Sequence, residues 1–143
     1  MTGPGNAGTF ALREHTADVA VEATAPTLGG VFAAVADGMA AAMCDEVPAT
    51  GDRHAVTVTA ESPEALLFDY LDELIYERDV RCVLPVDNAA AVTEATDGWR
   101  IDASYRGVAL AEVAARDLKA VTYSEMDLSE RPDGWTAYVV FDV

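Results

Sequence analysis

The sequence predicts an α+β fold: a single two-layer domain in which a mixed β-sheet of about seven strands carries two main helices packed on one face. Two patterns support this class. Segments with alternating apolar residues fill most of the second half of the chain, whereas two segments with helical apolar spacing lie in the first half. The 143 residues suit one core, and no linker or repeat divides them. We therefore expect one domain over residues 9–143, preceded by a flexible N-terminal tail of residues 1–8.

The strands are predicted from alternation between apolar and polar residues. Pro85 indicates that its strand lies at a sheet edge or ends early, since proline cannot donate to a hydrogen-bond ladder. Asp97-Gly98 predicts a two-residue hairpin turn. The strongly apolar stretch 139–141 indicates that the last strand is central. The predicted strands cover residues 10–14, 18–24, 53–60, 80–86, 89–95, 99–105, 118–128 and 135–143.

Two helices are predicted from apolar residues at helical spacing. The first opens at Pro26-Thr27, and glycines lower its intrinsic propensity, so that packing must hold it. The second begins after Ser62, whose hydroxyl is a good N-cap, and Pro63 suits the first helical position. The predicted core residues are Leu28, Val31, Phe32, Val35, Met39 and Met43 in the first helix, and Leu66, Leu67, Tyr70, Leu71, Leu74 and Ile75 in the second.

The charge of the chain limits the partners that it can bind. Asp and Glu number 25 against 9 Lys and Arg, for a net charge of −16, and Lys119 is the only lysine. Nucleic-acid affinity comes mostly from cations that displace phosphate counterions, so the composition argues against direct, tight binding of nucleic acid. The same acidity, which molar salt would screen, leads to the hypothesis of a halophilic protein.

The cellular context follows from what the sequence lacks. No apolar run reaches the roughly 20 residues that span a bilayer. The first residues carry neither the basic segment nor the apolar core of a signal peptide, and we expect a cytoplasmic protein. Cys44 and Cys82 form no CxxC pair, so we expect reduced, buried thiols. His54 is isolated, and we interpret it as a strand residue with no site.

The segment His15-Thr16-Ala17-Asp18 is the first candidate site. Its polar groups crowd where the chain enters an early strand, and the Asp18 carboxylate is a hard oxygen ligand suited to calcium or magnesium. The alternative is a turn in which Asp18 and Thr16 cap backbone groups. For His15 we favour a structural role, with its imidazole hydrogen-bonded to a neighbouring backbone or carboxylate group.

The segment Asp142-Val143 is the second candidate. An α-carboxylate beside the Asp142 side chain would place two negative groups on adjacent residues, and such groups repel unless solvent or a cation intervenes. If Asp18 lies on a neighbouring strand, three carboxylates converge and a divalent cation would relieve their repulsion. The alternative is a frayed terminus with solvated charges.

The third candidate is Lys119, which leads into an apolar run, Leu118–Tyr123. Lysine carries a compact charge with a tunable pKa, whereas arginine is a planar fork. A site that needs one ammonium near carboxylates or a phosphate would not easily accept arginine. The alternative is that the single lysine is an ordinary surface residue.

Taken together, these segments resemble the archease family. The chain is similar to archeases along nearly its whole length, from about Phe10 to Val143. The similarity rests on four pieces in the right order: His15–Asp18, the two helices, the Lys119–Tyr123 segment and a final apolar strand that ends in Asp142 and an aliphatic residue.

The resemblance implies an α+β fold and a divalent-cation site. It would place metal contacts on Asp18, on Asp142 and on the main-chain or terminal oxygen of Val143, and it maps the essential lysine of the family onto Lys119. Calcium is the expected ion, although oxygen ligands also admit magnesium or manganese.

The resemblance also implies a partner. Archeases assist the RtcB-type tRNA-splicing RNA ligase, which joins RNA ends with GTP and a divalent metal. They promote guanylylation of the ligase and repeated turnover, so the chain would be an activator with no catalytic residues of its own. It would meet tRNA only through the ligase.

Some residues depart from the family pattern. Ala20 stands where many members have glycine, Ser124 stands where many have histidine, and residues 108–117 lack a loop that contains histidine and glycine. Two rival functions remain at this point. One is a metal-dependent phosphoester hydrolase that uses Asp18, Asp142 and His15, and the other is a chaperone-like interaction module.

Overall fold

The computed structural model describes residues 8–14 and 18–143, so the predicted tail is outside the described residues except for Gly8. The described residues contain seven strands, two helices and one short 3₁₀ turn. In order they are β1 (Thr9–Glu14), β2 (Asp18–Ala25), α1 (Leu28–Met43), β3 (Asp52–Ala60), α2 (Pro63–Arg81), β4 (Val83–Ala95), β5 (Gly98–Ala109), the 3₁₀ turn (Leu110–Glu112), β6 (Ala120–Arg131) and β7 (Gly134–Asp142).

The α+β class with seven strands and two helices is confirmed, but the strands form two antiparallel sheets instead of one mixed sheet. The first sheet has the order β1-β2-β7-β6 and the second has the order β3-β5-β4. The alternation of residues shows that a strand has one buried face, but it does not show which strands share an edge. The last strand, β7, is interior, as predicted.

The first helix is buried on nearly all sides, and not only on the predicted face. It packs against β2 and β7 of the first sheet and against β4 of the second, within one continuous apolar core. A Cβ added at Gly29 would lie 2.5 Å from the Ala90 carbonyl oxygen, and one at Gly38 would lie 2.5 Å from a methyl group of Val21. These glycines therefore permit close contact between α1 and both sheets.

The second helix begins as predicted, with the Ser62 hydroxyl accepting a hydrogen bond from the Ala65 backbone N–H at 3.1 Å. All six of its predicted core residues are buried, and so is Arg78. The helix continues to Arg81, so residues 80 and 81, which were expected to begin a strand, are helical.

The strands predicted at 80–86 and 89–95 are one strand, β4. A bulge between Val86 and Ala89 interrupts its register, and Pro85 lies in this edge strand, as predicted. The expectation that both thiols are buried is wrong for Cys82. Cys82 is exposed because it caps the C-terminus of α2 in the left-handed conformation, with φ of 55°. Within the described residues, no helix is both long and apolar enough to cross a membrane.

Candidate functional site

The two candidate aspartates meet at one end of the first sheet. Asp18 is the first residue of β2, Asp142 is the last residue of β7, and the two are direct partners in the antiparallel register. Side chains of direct cross-strand partners project from the same face, with their Cβ atoms about 4.5–5.5 Å apart. Asp18 and Asp142 thus lie on neighbouring strands, whereas His15, Thr16 and Ala17 lie outside the described residues.

The register that pairs the aspartates is set by the apolar core. Val19 pairs with Phe141, and Val21 pairs with Val139, on the strand faces that turn toward the helices. A slip by one residue would move these side chains to the outer face and leave polar residues in the core. The aspartate pair is therefore a consequence of core packing in the strands that carry it.

The backbone of Lys119 joins the same end of the sheet. Ala120 pairs with Asp142 on the β6 side of β7, and the Lys119 N–H donates to the Asp142 carbonyl oxygen at 2.8 Å. Leu118 is buried, while the Lys119 side chain is exposed. Within the described part of the chain, Lys119 makes no ion pair, so its ammonium group remains in solvent.

The segment from Lys119 to Tyr123 distributes its residues over three environments. Lys119 lies at the sheet end, and Val121 is in the core. The Tyr123 ring stacks on Phe68 of α2, with centroids 4.2 Å apart and ring planes inclined by 2°, and about half of Tyr123 remains exposed. This ring stack holds the Tyr123 end of the segment against α2, while the backbone of Lys119 at the other end bonds to β7.

The donor set at this end suits a hard cation. Asp18 is half-buried and Asp142 is exposed, and two carboxylates that face each other across a strand pair repel. No group of three or more His, Cys, Asp or Glu side chains with metal-binding geometry occurs among the described residues. An ion held by this pair would take its other ligands from main-chain oxygens such as that of Val143, from water or from a partner. Oxygen ligands of this kind fit calcium, magnesium or manganese.

Arg78, which no sequence motif indicated, also belongs to this region. Its guanidinium Nη1 donates to the Leu118 carbonyl oxygen at 2.7 Å and lies 3.3 Å from the Met43 sulfur. The available signal was spacing, because Arg78 follows the buried Leu74 by four residues, on the core face of α2.

A second polar cluster was also missed, at the bulge of β4. Asp37 Oδ1 accepts hydrogen bonds from the backbone N of Asn88 at 3.0 Å and from its Nδ2 at 2.9 Å. Asn88 is fully buried, and burial raises the pKa of the Asp37 carboxyl above its ordinary value. His54, as expected, is a strand residue; its ring lies 5.4 Å from that of Tyr105.

The fold and the site define a small α+β protein of two antiparallel sheets around a buried helix, with paired carboxylates at one sheet end. A model of the Archease protein family (MTH1598/TM1083) matches residues 10–143. The chain therefore belongs to the archease family, as the sequence motifs indicated.

Individual relatives agree with this assignment. The archease of Thermococcus gammatolerans is 34% identical over 136 residues, which cover 91% of this chain and 95% of that protein. The archease of Methanosarcina acetivorans is 30% identical over 145 residues, which cover 98% of this chain and 99% of that protein.

Two solved structures share the fold. The solution structure of Methanobacterium thermoautotrophicum protein 1598 superposes with a TM-score of 0.80 and 27% identity, covering 96% of this chain and 99% of that one. The crystal structure of a Thermotoga maritima archease, described as a possible chaperone, gives a TM-score of 0.64 at 19% identity, covering 92% and 94%. The second similarity concerns the fold alone.

Proposed function

We propose that this chain activates an RtcB-type RNA ligase, promoting guanylylation and repeated turnover of the ligase through a divalent-metal site. The covalent chemistry belongs to the ligase, and the chain acts as its accessory protein. The observation that carries the proposal is the direct cross-strand pairing of Asp18 with Asp142, with the Lys119 backbone bound to Asp142. Membership of the archease family supports the choice of partner.

Each residue has a distinct part in the proposed site. The Asp18 and Asp142 carboxylates would hold the cation, together with a main-chain oxygen of Val143. A bound divalent cation stabilises phosphoryl transfer by offsetting charge on phosphate oxygens. Lys119, whose side chain is exposed, would bring an ammonium group to the active site of the ligase. With a net charge of −16, the chain itself is not suited to hold RNA.

A ligation assay tests this function. Purified ligase is given limiting GTP, and the number of turnovers per enzyme is counted with and without the chain. We expect the wild-type chain to support multiple turnovers, and Asp18→Asn and Lys119→Ala to reduce the count to that of the ligase alone. Thermal melts establish that both variants are folded. Full stimulation by both folded variants would refute the proposal.

Matched controls are available on the β6–β7 hairpin, at its other end. Asp133 is an exposed turn residue, and Arg131 is the exposed cation at the end of β6. Asp133→Asn and Arg131→Ala change the net charge by the same amounts as the two test variants, and we expect both to stimulate fully. Loss of stimulation in the controls would indicate an effect of overall charge instead of a site at Asp18 and Lys119.

Metal binding is measured in a separate experiment, without the ligase. Calcium, magnesium and manganese are titrated separately into the chain alone, and we expect binding that Asp18→Asn or Asp142→Asn abolishes. Because the ligase itself needs a divalent metal, chelation in the ligation assay does not separate the two proteins. If variants that no longer bind metal stimulated the ligase as well as the wild-type chain does, the result would instead support the rival function, a chaperone-like interaction module. Turnover of a phosphoester by the chain alone would support the hydrolase.

A further inference from the structure

The peptide group between Leu118 and Lys119 is held at both of its ends. Its carbonyl oxygen accepts a hydrogen bond from Nη1 of Arg78 at 2.7 Å, and its N–H donates to the Asp142 carbonyl oxygen at 2.8 Å. One peptide unit therefore connects α2, the start of β6 and the end of β7. We call these two hydrogen bonds the clamp. The clamp holds the backbone of Lys119, and one of its two bonds ends on the carbonyl oxygen of Asp142.

Arg78 is an unusual residue for its place in the helix. It is 9% exposed and lies on the face of α2 that carries Leu71 and Leu74 into the core. Its ion-pair partner, Asp79, is at 3.0 Å but is largely exposed. Burying a guanidinium carries a desolvation cost that an apolar side chain of similar size would not have. The hydrogen bond to Leu118 is the contact that an apolar residue there could not make.

The chain around Lys119 needs such support. Residues 114–119 contain no helix or strand, so no sheet ladder holds them before β6 begins at Ala120. Leu118 is buried at 1% exposure, which fixes its side chain but leaves its carbonyl in need of a donor. Arg78 supplies that donor from a rigid helix.

We propose that Arg78 is a positioning residue, which fixes the Leu118–Lys119 peptide group so that Lys119 and the end of β7 keep one geometry. This inference rests on the proposed function, in which Lys119 and Asp142 act on the ligase. Arg78 does not contact the ligase or its nucleotide. It acts through the carbonyl oxygen of Leu118.

The test compares three variants. Arg78→Met keeps the length and apolar stem of the side chain but removes the donor. Arg78→Lys keeps one donor. Arg81→Met is the matched control, because Arg81 is an exposed residue of the same helix, paired with Glu77 at 2.9 Å. The readouts are thermal melts, ligase turnover and the hydrogen-exchange rate of the Lys119 amide, measured by nuclear magnetic resonance.

We expect Arg78→Met to fold and its Lys119 amide to exchange at least about tenfold faster, the factor that 1.4 kcal/mol of lost stabilisation produces. We expect its maximal stimulation of the ligase to fall, Arg78→Lys to recover part of both effects, and Arg81→Met to match the wild type. A merely structural role would lower the melting temperature without selective acceleration at Lys119.

Three results would overturn the inference. The first is an unchanged Lys119 exchange rate in Arg78→Met, and the second is accelerated exchange with full stimulation. The third needs no variant: a Lys119 amide in the wild-type chain that exchanges as fast as that of Ala115 would show that no clamp exists, even if Arg78→Met fails to fold. Full stimulation by both Asp18→Asn and Lys119→Ala would remove the proposed function instead, and the exchange rates would still report on the two hydrogen bonds of the Leu118–Lys119 peptide group.

Discussion

Two carboxylate sites in this chain are built in opposite ways. Asp37 is partly buried beside the bulge of β4, and both hydrogen bonds to its Oδ1 come from Asn88, a residue with no exposed surface. Asp142 is exposed at the end of β7 and lies directly opposite another aspartate, Asp18. Among the described residues, the hydrogen bond from the Lys119 N–H goes to the backbone carbonyl oxygen of Asp142 and not to its carboxylate.

The difference separates a structural carboxylate from one that is available to a ligand. At Asp37 the protein provides the donors, so the charge is used in joining α1 to β4. At the sheet end, Asp142 is exposed and pairs directly with a second aspartate, and this is where we propose that a cation binds. Removing the whole carboxyl group at Asp37 should therefore lower stability, whereas removing only the negative charge at Asp142 should raise it.

The largest expected effect is that of Asp37→Ala. Removing the carboxyl leaves the backbone N–H of buried Asn88 without its acceptor and leaves Nδ2 with only the Pro85 carbonyl oxygen at 3.3 Å, which costs about 1–3 kcal/mol. The measurement is the free energy of unfolding from denaturant titration in molar KCl, where the net charge is screened. A loss below about 0.5 kcal/mol, the range of ordinary surface substitutions, would place Asp37 in the same class as the exposed acids.

A smaller effect is expected from Asp37→Asn, which keeps the acceptor oxygen and removes the charge. Burial, the largest cause, raises the pKa of Asp37 in the folded chain above its unfolded value. The folded state then binds the proton more tightly, so the stability from this group is greatest at low pH and is lost as pH rises through the folded pKa.

The Asp37→Asn variant should lack this loss, and the difference in its favour should grow as pH increases from about 3.8, the ordinary pKa of the carboxyl, toward the raised folded value. Denaturant titrations at several pH values measure the difference between variant and wild type. A difference that does not vary with pH would contradict the raised pKa.

The smallest effect is expected from Asp142→Asn, and it has the opposite sign to that of Asp37→Ala. Replacing one of two directly opposed charges should stabilise the chain by about 0.2–1 kcal/mol in low salt. The gain should shrink in molar KCl, because salt screens exposed charges. Denaturant titration at the two salt concentrations provides the measurement, and a loss of stability in low salt would show that the Asp142 carboxylate already has a stabilising partner.

Much of the architecture was predictable from residue patterns. The Ser62-Pro63 start of α2 was predicted because capping depends on adjacent residues. The β4–β5 hairpin was predicted from Asp97-Gly98, but Gly98 pairs with Ala95, so the two loop residues are Thr96 and Asp97. The strand predicted from residue 80 overlaps the last turn of α2, and the bulge between Val86 and Ala89 was predicted as a break between two strands. The bulge is held by a contact that is distant in the sequence, because the backbone N–H of Asn88 donates to Asp37.

In the candidate site, too, some residues were predictable from the sequence and others were not. The residues Asp18, Asp142 and Lys119 were identified from short motifs, and the structure brings their backbones to one sheet end. Arg78 was not identified as part of that end, because its acceptor, the carbonyl of Leu118, is 40 residues away. Backbone groups have no sequence signature, so contacts made through them appear only in the folded chain.

The sequence by itself determined the fold class, the positions of most helices and strands, the acidic charge and the family of the chain. These depend on local periodicity, on capping and turn residues, and on short motifs. Only the tertiary structure decided the division into two sheets, the burial of α1 on nearly all sides, the Asp37–Asn88 cluster and the clamp on the Leu118–Lys119 peptide. Each of these depends on which surfaces meet, and many pairings satisfy the same pattern of apolar residues before packing selects one.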